Sequence, residues 1–224
     1  MRHLRIGVSN MYSLTRLFQL CAFEIRYEEI GEDVNYATKT DREENILYIF
    51  FQPSNSADDW KNNFDFKEEV YGLFKVHRGF MKCYKQVRNI LLDKVYANQY
   101  NGVVVVGYSH GGALAQLCHQ DLKYHFPSLD VKTFAFESPR CLKVPKKLRP
   151  YWEGLTRIKC NNDLIAHLPP KIFGFNDLGK ELKIKGDTSL IKKCLPRCIK
   201  SHYPQVVLKA LQDYEKKLSI KNEE

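Results

Sequence analysis

Two apolar runs stand out from the pattern of hydrophobic and polar positions along this chain. Residues 103–106 are four consecutive valines, and residues 46–51 read Ile-Leu-Tyr-Ile-Phe-Phe. Continuous runs of β-branched and aromatic residues of this length are typical of strands that are buried on both faces of a sheet. We therefore expect both runs to be central strands.

Helical spacing of apolar residues alternates with these strands. It predicts four helices, over residues 11–27, 81–98, 113–122 and 203–218, and a short one over 144–152. Further strands are predicted at 28–40, 131–136, 155–160, 172–175 and 182–185. Alternating strands and helices predict an α/β fold with a mostly parallel sheet. A length of 224 residues fits a single domain over residues 1–224.

The composition narrows the setting of the protein. No run approaches the eighteen or so apolar residues that a membrane-spanning helix needs, and no signal-peptide core is seen, so we expect an intracellular, cytoplasmic protein. Seven irregularly spaced cysteines favour free thiols. Cys194, Cys198 and His202 have helical spacing, but Pro196 interrupts such a helix. We therefore expect no metal site, and buried thiols at Cys194 and Cys198.

The net charge of +9 is concentrated in one segment. Residues 141–200 contain 14 Lys and Arg but only 5 Asp and Glu. Two interpretations stay open: a basic face that is attracted to anionic lipid, and a solvated lysine surface. Nucleic acid is a less favoured partner because no basic helix with interleaved aromatics is present.

The four valines lead directly into a Gly-x-Ser-x-Gly turn, and a helical pattern follows it. Strand, sharp turn and helix in this order form the nucleophile elbow of serine hydrolases, which holds its serine in a strained conformation. Gly107 and Gly111 stand where the backbone must pass close to its neighbours. We predict Ser109 as a nucleophile and the backbone N–H of His110 as one oxyanion-hole donor.

A serine hydroxyl needs a histidine to accept its proton and a carboxylate to orient that histidine. Hydrolases with this elbow have the chain order serine, acid, histidine. Asp163 follows a predicted strand and His202 precedes the last predicted helix, so we expect them to complete a triad. The competing histidines, for which we expect structural roles, are His119, His125 and His167.

The polar segment 55–70 keeps three aromatic residues, Trp60, Phe64 and Phe66. One interpretation is a lid that covers an apolar cleft and presents its aromatic face to lipid when it opens. The other is a short surface helix that anchors its aromatics in the core.

Several motifs in residues 45–204 resemble the class 3 lipases of the α/β-hydrolase fold, the fungal-lipase-like group. They are Ser54-x-Ser56, Asp59-Trp60, Val76-His77-x-Gly79-Phe80, the elbow, Ser138-Pro139-Arg140, Asp163 with Leu168-Pro169-Pro170, and His202-Tyr203. The resemblance implies a mostly parallel central sheet flanked by helices, with a short lid. It also implies the triad above, Ser54 as the second oxyanion donor, and ester hydrolysis through an acyl-enzyme with no cofactor.

Several positions depart from the family pattern, among them His110, where the family commonly has leucine and where only the backbone is needed. Gln52-Pro53 replaces the Arg-Gly that usually precedes the oxyanion residue, which stiffens this turn and removes a charge. Glu137 stands where the family often has glycine before the Pro-Arg turn. Because Glu137 is also a carboxylate at the end of a predicted strand, it is the alternative candidate for the triad acid.

The leading functional hypothesis is a serine hydrolase that cleaves lipid esters such as acylglycerols, with peripheral contact to a membrane or lipid-droplet surface. The basic segment suggests a phospholipase on anionic membranes as an alternative. Acyl transfer to an alcohol and a non-catalytic lipid-binding module with a lipase fold are the others. The sequence does not indicate an oligomeric state.

Overall fold

The computed structural model describes residues 12–29, 34–53, 67–161 and 163–223. The candidate oxyanion residue Ser54 and the candidate lid residues Trp60, Phe64 and Phe66 lie outside these described residues. Within the described part of the chain, no helix has both the length and the apolar character needed to cross a membrane.

Strands and helices alternate along the described chain as the periodicity predicts. The strands are β1 (Glu28–Glu29), β2 (Asn35–Asp41), β3 (Ile46–Phe51), β4 (Glu68–Tyr71), β5 (Phe74–His77), β6 (Gly102–Tyr108), β7 (Asp130–Phe136), β8 (Leu142–Lys143), β9 (Leu155–Cys160) and β10 (Lys180–Ile184). The α-helices are α1 (Leu14–Gln19), α2 (Arg78–Asn98), α3 (His110–His125), α4 (Arg197–Lys200) and α5 (Pro204–Glu223), and α1 continues as a π-helical turn over Leu20–Glu24. Segment 144–152, predicted as a helix, is the 3₁₀ helix Lys146–Trp152.

Seven of these strands form one sheet in the order β1-β2-β3-β6-β7-β9-β10. The five strands from β3 to β10 are parallel, and β1 and β2 extend the sheet in antiparallel pairing. Parallel strands end at a common edge, so the loops after β6, β7 and β9 meet there. The chain therefore has the mostly parallel sheet that the sequence predicts.

Helices cover both faces of this sheet. Val103 and Val105 join a core with residues of α2 and α3, whereas Val104 and Val106 join a second core with residues of α1 and α5. Successive side chains of a strand point to opposite faces. The four-valine run therefore serves both cores, which explains why it shows no polar alternation.

A smaller antiparallel sheet in the order β4-β5-β8 corrects one boundary of the sequence analysis. Residues 68–70, the end of the candidate lid, belong to β4. Glu68 of β4 forms ion pairs with Lys75 and Lys143, and Glu69 with Lys85. Because β4 is paired with β5 along its length, these residues are part of the frame rather than of a lid.

The predicted strand at 172–175 is also wrong. Lys171–Phe173 is a 3₁₀ helix, which follows Pro169-Pro170 and ends at Gly174 with φ of 84°. Proline has no backbone N–H to donate to a ladder, and a left-handed glycine turns the chain, so neither flank permits a strand here. The segment instead forms part of the long connection from β9 to β10.

Candidate active site

Ser109 sits at the sharp turn between β6 and α3 with φ of 58° and ψ of −121°. A non-glycine residue in this region is strained, as expected for a nucleophile elbow. A Cβ at Gly107 would lie 2.0 Å from the carbonyl oxygen of Gly111, and one at Gly111 would lie 2.3 Å from that of Phe51. Glycine is therefore required at both positions, because any side chain there would push the turn open.

The three predicted triad residues come together at the carboxyl edge of the sheet. The Oγ of Ser109 lies 2.8 Å from Nε2 of His202, and Nδ1 of His202 lies 2.6 Å from Oδ2 of Asp163. Asp163 is fully buried, and 16% of the His202 side chain is exposed. In the tautomer that fits these contacts, His202 donates its Nδ1–H to Asp163 and its Nε2 accepts the serine proton.

The loop that carries Asp163 is fixed from two sides. Oδ1 of Asp163 accepts the N–H of Ile165 at 3.0 Å, which closes the turn locally. Arg140, from the Ser-Pro-Arg turn, donates to the carbonyl oxygens of His167 and Pro169. Since the Asp163 carboxylate cannot rotate freely, it holds one orientation toward His202.

His202 is held by residues that the sequence analysis missed. The Tyr108 hydroxyl donates to the backbone carbonyl of His202, and the two rings stack at 5.4 Å. Asn161, with φ of 52°, donates to the carbonyl of Gly186 and to the hydroxyl of Ser201. Asparagine tolerates this left-handed conformation better than most residues, so the Asn-Asn-Asp sequence after a strand was the available signal.

Glu137, the alternative candidate for the acid, lies beside Asp163. Its side chain is fully buried at the end of β7, and Oε1 accepts the backbone N–H of Cys160 at 2.5 Å. Burial and then the neighbouring charge of Asp163 raise the pKa of Glu137 well above its usual value. The contact with Nδ1 of His202 is made by Asp163.

A cluster of charges near β9, which we call the Asp177 cluster, consists of Asp177, the buried Arg140, Arg157 and Lys159, and the exposed Lys171. Burial opposes ionisation of Asp177, but the bond from Arg140 and the charges of Arg157 and Lys159 outweigh it and hold the pKa of Asp177 well below its usual value. The Arg157 and Lys159 side chains are only 2% and 3% exposed. Part of the basic excess in 141–200 is therefore internal and does not form a surface.

The competing histidines contact other groups. His119 is buried with Nδ1 at 2.9 Å from the Thr133 hydroxyl, and Nε2 of His125 lies 2.8 Å from Arg88. Nδ1 of His167 lies 2.5 Å from the backbone carbonyl of Asp163. Only His202 among the candidates reaches Ser109 in the described structure.

All seven cysteines are free thiols, as the irregular spacing predicted. Five of them are buried, but Cys194 is exposed and Cys198 is half-buried. The expectation of buried thiols at these two positions is therefore wrong. Both lie in the irregular chain around Pro196 that precedes and forms α4, a segment that is not covered by either face of the sheet.

One group of described residues, Glu137, Asp163 and His202, has metal-ligand atoms within 4.8 Å of one another. Its atoms already serve hydrogen bonds, because Nδ1 of His202 is bonded to Asp163 and Oε1 of Glu137 to Cys160. A metal would have to displace these bonds, so the arrangement suits proton transfer better than metal binding.

The described part of the predicted oxyanion region lies against the elbow. His110 begins α3, so its backbone N–H belongs to the positive end of that helix. The carbonyl oxygens of Phe51 and Gln52 lie within 2.7 Å of where a Cβ of Gly111 would be. The Gln52 side chain accepts a bond from Asn35 at 2.5 Å, and its backbone N–H donates to the Asn35 carbonyl. The turn at Gln52-Pro53 is thus held directly over the start of α3.

Comparison with known proteins shows the same architecture in a group of lipases. A model of the family Lipase (class 3) matches residues 48–173. The chain is 31% identical over 182 residues to a lipase of Rhizopus niveus, a match that covers 75% of this chain and 46% of that protein. This chain therefore spans about half the length of the curated relatives it matches.

Solved structures give the same result. The Rhizomucor miehei lipase in complex with its propeptide is 27% identical with a TM-score of 0.60, and the alignment covers 84% of this chain and 66% of that one. A triacylglycerol lipase whose catalytic centre is described as a serine protease triad is 28% identical with a TM-score of 0.61, covering 74% of this chain and 67% of the other. The fold of this chain is that of the α/β-hydrolases.

Proposed function

Because the chain belongs to the class 3 lipase family, we propose that it is a serine hydrolase that cleaves the carboxylic esters of lipids. The observation that carries the proposal is the continuous line of contacts from Asp163 through His202 to Ser109, at 2.6 and 2.8 Å. These are hydrogen-bonding distances for a base and for the nucleophile that it activates.

The proposed reaction proceeds through an acyl-enzyme. His202 accepts the proton of Ser109 as the serine oxygen attacks the ester carbonyl, and it then gives that proton to the departing alcohol. Water attacks the acyl-enzyme in the same way and releases the carboxylic acid. Throughout, Asp163 holds the tautomer of His202 and stabilises its charged form.

Negative charge develops on the ester oxygen in each half of the reaction, and two backbone donors are proposed to bind it. The N–H of His110 is one, favoured by its place at the start of α3. Ser54, two residues beyond the described Gln52, is the other by family resemblance. The close packing of Phe51 and Gln52 on the elbow supports this assignment, because it brings the chain leading to Ser54 to the correct end of the sheet.

Covalent labelling is the test of this proposal. The purified protein should react with a fluorophosphonate probe and hydrolyse short and long acyl esters, and Ser109→Ala should do neither. Ser189→Ala, which changes an exposed serine in a 3₁₀ turn, is the matched control and should retain both properties. Labelling that survives Ser109→Ala would remove Ser109 as nucleophile, and an unreactive parent would favour the lipid-binding module.

Acylglycerols are the proposed substrates, and an aqueous lipid surface is the proposed site of contact. Ile172 is 89% exposed and Phe173 48% exposed on the connection that follows Asp163, with the exposed Lys171 beside them. Exposed apolar side chains next to a basic one suit the surface of a membrane or lipid droplet. Phospholipid hydrolysis is a less favoured variant because Arg157 and Lys159 are internal.

The lid proposal concerns segment 55–67 after correction of its boundary. It predicts higher activity on emulsified ester than on the same ester below its solubility limit. Equal activity in the two states would contradict it.

Free thiols at all seven cysteines support a reducing compartment, so we propose that the protein acts inside the cell. Recovery of the protein from the culture medium would contradict that location.

A further inference from the structure

Glu137 has a combination of properties that the proposed triad does not explain. Its φ is 46°, a left-handed conformation that is uncommon for a residue other than glycine, asparagine or aspartate. Its carboxyl group is fully buried in a place where an acid is costly to ionise. Strain and burial of a carboxyl at one position call for a compensating interaction.

The two carboxyl oxygens of Glu137 have different surroundings. Oε1 accepts the N–H of Cys160 at 2.5 Å, whereas no donor among the described residues reaches the buried Oε2. A carboxylate oxygen of Asp163 lies within 4.8 Å of a carboxyl oxygen of Glu137, and the charge of Asp163 opposes ionisation of Glu137. Asp163 already accepts bonds from Ile165 and His202, so it is an acceptor here as well.

Two fully buried carboxyl groups this close to one another strongly oppose each other's ionisation, so one of them is expected to hold a proton. Asp163 has two N–H donors that stabilise its negative charge, whereas Glu137 has one. The proton therefore belongs to Glu137. An acid kept neutral in this way can donate a hydrogen bond at neutral pH.

We propose that Glu137 is a positioning residue, a neutral carboxylic acid whose Oε2–H donates a hydrogen bond to Asp163 and extends the line to Glu137–Asp163–His202–Ser109. The bond restrains the Asp163 carboxylate beside its contact with His202. It also draws part of the negative charge of Asp163 away from His202.

The groups that face the Glu137 carboxyl come from three elements. Asp163 and Cys160 come from β9 and the loop after it, and Tyr108 comes from the end of β6. His202, which precedes α5, has a ring nitrogen within 4.8 Å of the carboxyl oxygen of Glu137. Burial raises the pKa of Cys160 to about 11 and that of Tyr108 well above its usual value, so neither titrates near neutral pH.

Infrared spectroscopy tests the protonation state without any assay of activity. The parent spectrum minus that of Glu137→Gln at neutral pH should contain the C=O stretching band of a protonated carboxylic acid. The same band should persist in the parent as the pH is raised from acid to neutral. Carboxylate bands at neutral pH in place of the acid band would overturn the proposal.

Kinetics test the positioning role, and this part rests on the proposed ester hydrolysis. Glu137→Met keeps the side-chain length but removes the donor, so kcat should fall about 10- to 100-fold, as for loss of one hydrogen bond to a charged group. Because Asp163 then offers its full charge to His202, the acid limb of kcat/KM should move to higher pH. Glu137→Gln, whose amide donates to Asp163 and accepts from Cys160, should restore both values.

A matched control separates this effect from simple loss of stability. Asp121→Met removes another buried carboxylate, which is bonded to Tyr71, Tyr84 and Arg88 away from the triad. It should destabilise the protein without moving the acid limb. An unmoved limb in Glu137→Met would overturn the proposal. If the infrared band of the protonated acid is present but the protein has no esterase activity, the proposed Glu137–Asp163 hydrogen bond stands and the proposed function is overturned.

Discussion

Asp163 and Asp177 both lie on the connection from β9 to β10, and their surroundings are opposite. Asp163 is paired with a histidine and a second carboxyl group, with no lysine or arginine among its described hydrogen-bond partners. Asp177 contacts four cationic side chains, those of Arg140, Arg157, Lys159 and Lys171. The neighbours of Asp163 are groups that can gain or lose a proton, whereas the neighbours of Asp177 are lysine and arginine side chains, which stay charged.

The difference separates the proposed triad acid from a structural one. A carboxylate saturated by cations stays ionised through the whole working pH range and acts as a fixed clamp. A carboxylate between a neutral acid and an imidazole responds whenever the imidazole gains or loses a proton. Arg140 joins the two regions, because it binds Asp177 and also holds the backbone of the loop that follows Asp163.

Asp163→Asn should have the largest effect of the changes considered. The amide can donate to Nδ1 of His202 and so fix the wrong tautomer, and kcat/KM should fall by about 10,000-fold. The midpoint of urea unfolding should change little, because the substitution preserves shape. The measurement is ester hydrolysis alongside urea unfolding. A variant that loses activity only in proportion to its unfolded fraction would place Asp163 with Asp177 among the structural acids.

Asp177→Asn should lower stability strongly and change turnover little. Arg140 and Arg157 would remain buried without their anion, so the free energy of unfolding should fall by about 3–5 kcal/mol. Turnover per fluorophosphonate-labelled molecule should stay close to that of the parent. Urea unfolding at neutral pH measures the loss, and a decrease below about 1 kcal/mol would mean that the cluster is solvated like a surface ion pair.

Glu137→Gln should give a gain in stability that depends on pH. The unfolded chain releases the Glu137 proton above its usual pKa of 4.5, whereas the folded protein retains it. Parent stability should therefore fall with rising pH by up to about 1.4 kcal/mol per unit, from 4.5 until the folded pKa is reached. Glutamine has no such dependence, so the advantage of the variant should grow over that interval.

Unfolding both proteins in urea at a series of pH values measures this difference. Below pH 4.5 the two stabilities should differ by a constant amount, because Glu137 is then protonated in both states. A gap that stays constant up to neutral pH would indicate that Glu137 loses its proton in the folded protein as readily as in the unfolded one.

Periodicity predicted the central strands and the main helices because both faces of the sheet are covered and their apolar patterns are long. It failed at β4 and β5, where residues 68–71 and 74–77 mix charged and apolar positions. A hairpin of this kind is specified by its pairing with β8 and by ion pairs such as Glu68–Lys143, which distant residues supply. The strand predicted at 172–175 was wrong because a pattern of four residues does not take account of the prolines that precede it.

The site was predicted where its chemistry has a fixed chain order. Ser109, Asp163 and His202 are brought together as the elbow motif and the serine-acid-histidine order required, although their catalytic roles remain predictions. The supports of His202 were not foreseen, since Tyr108 and Asn161 bond to backbone or to side chains that are distant in sequence. The internal location of Arg157 and Lys159 was not foreseen either, because charge counts do not report burial.

The place of His202 has a consequence for how the protein is made. The ribosome releases Ser109 long before the segment that carries His202, which is held by the packing of α5 through Val206, Val207 and Leu211 on the sheet. Until α5 docks, Ser109 lacks the histidine that is proposed as its base. The order of synthesis therefore leaves this serine without that partner until α5 has packed on the sheet.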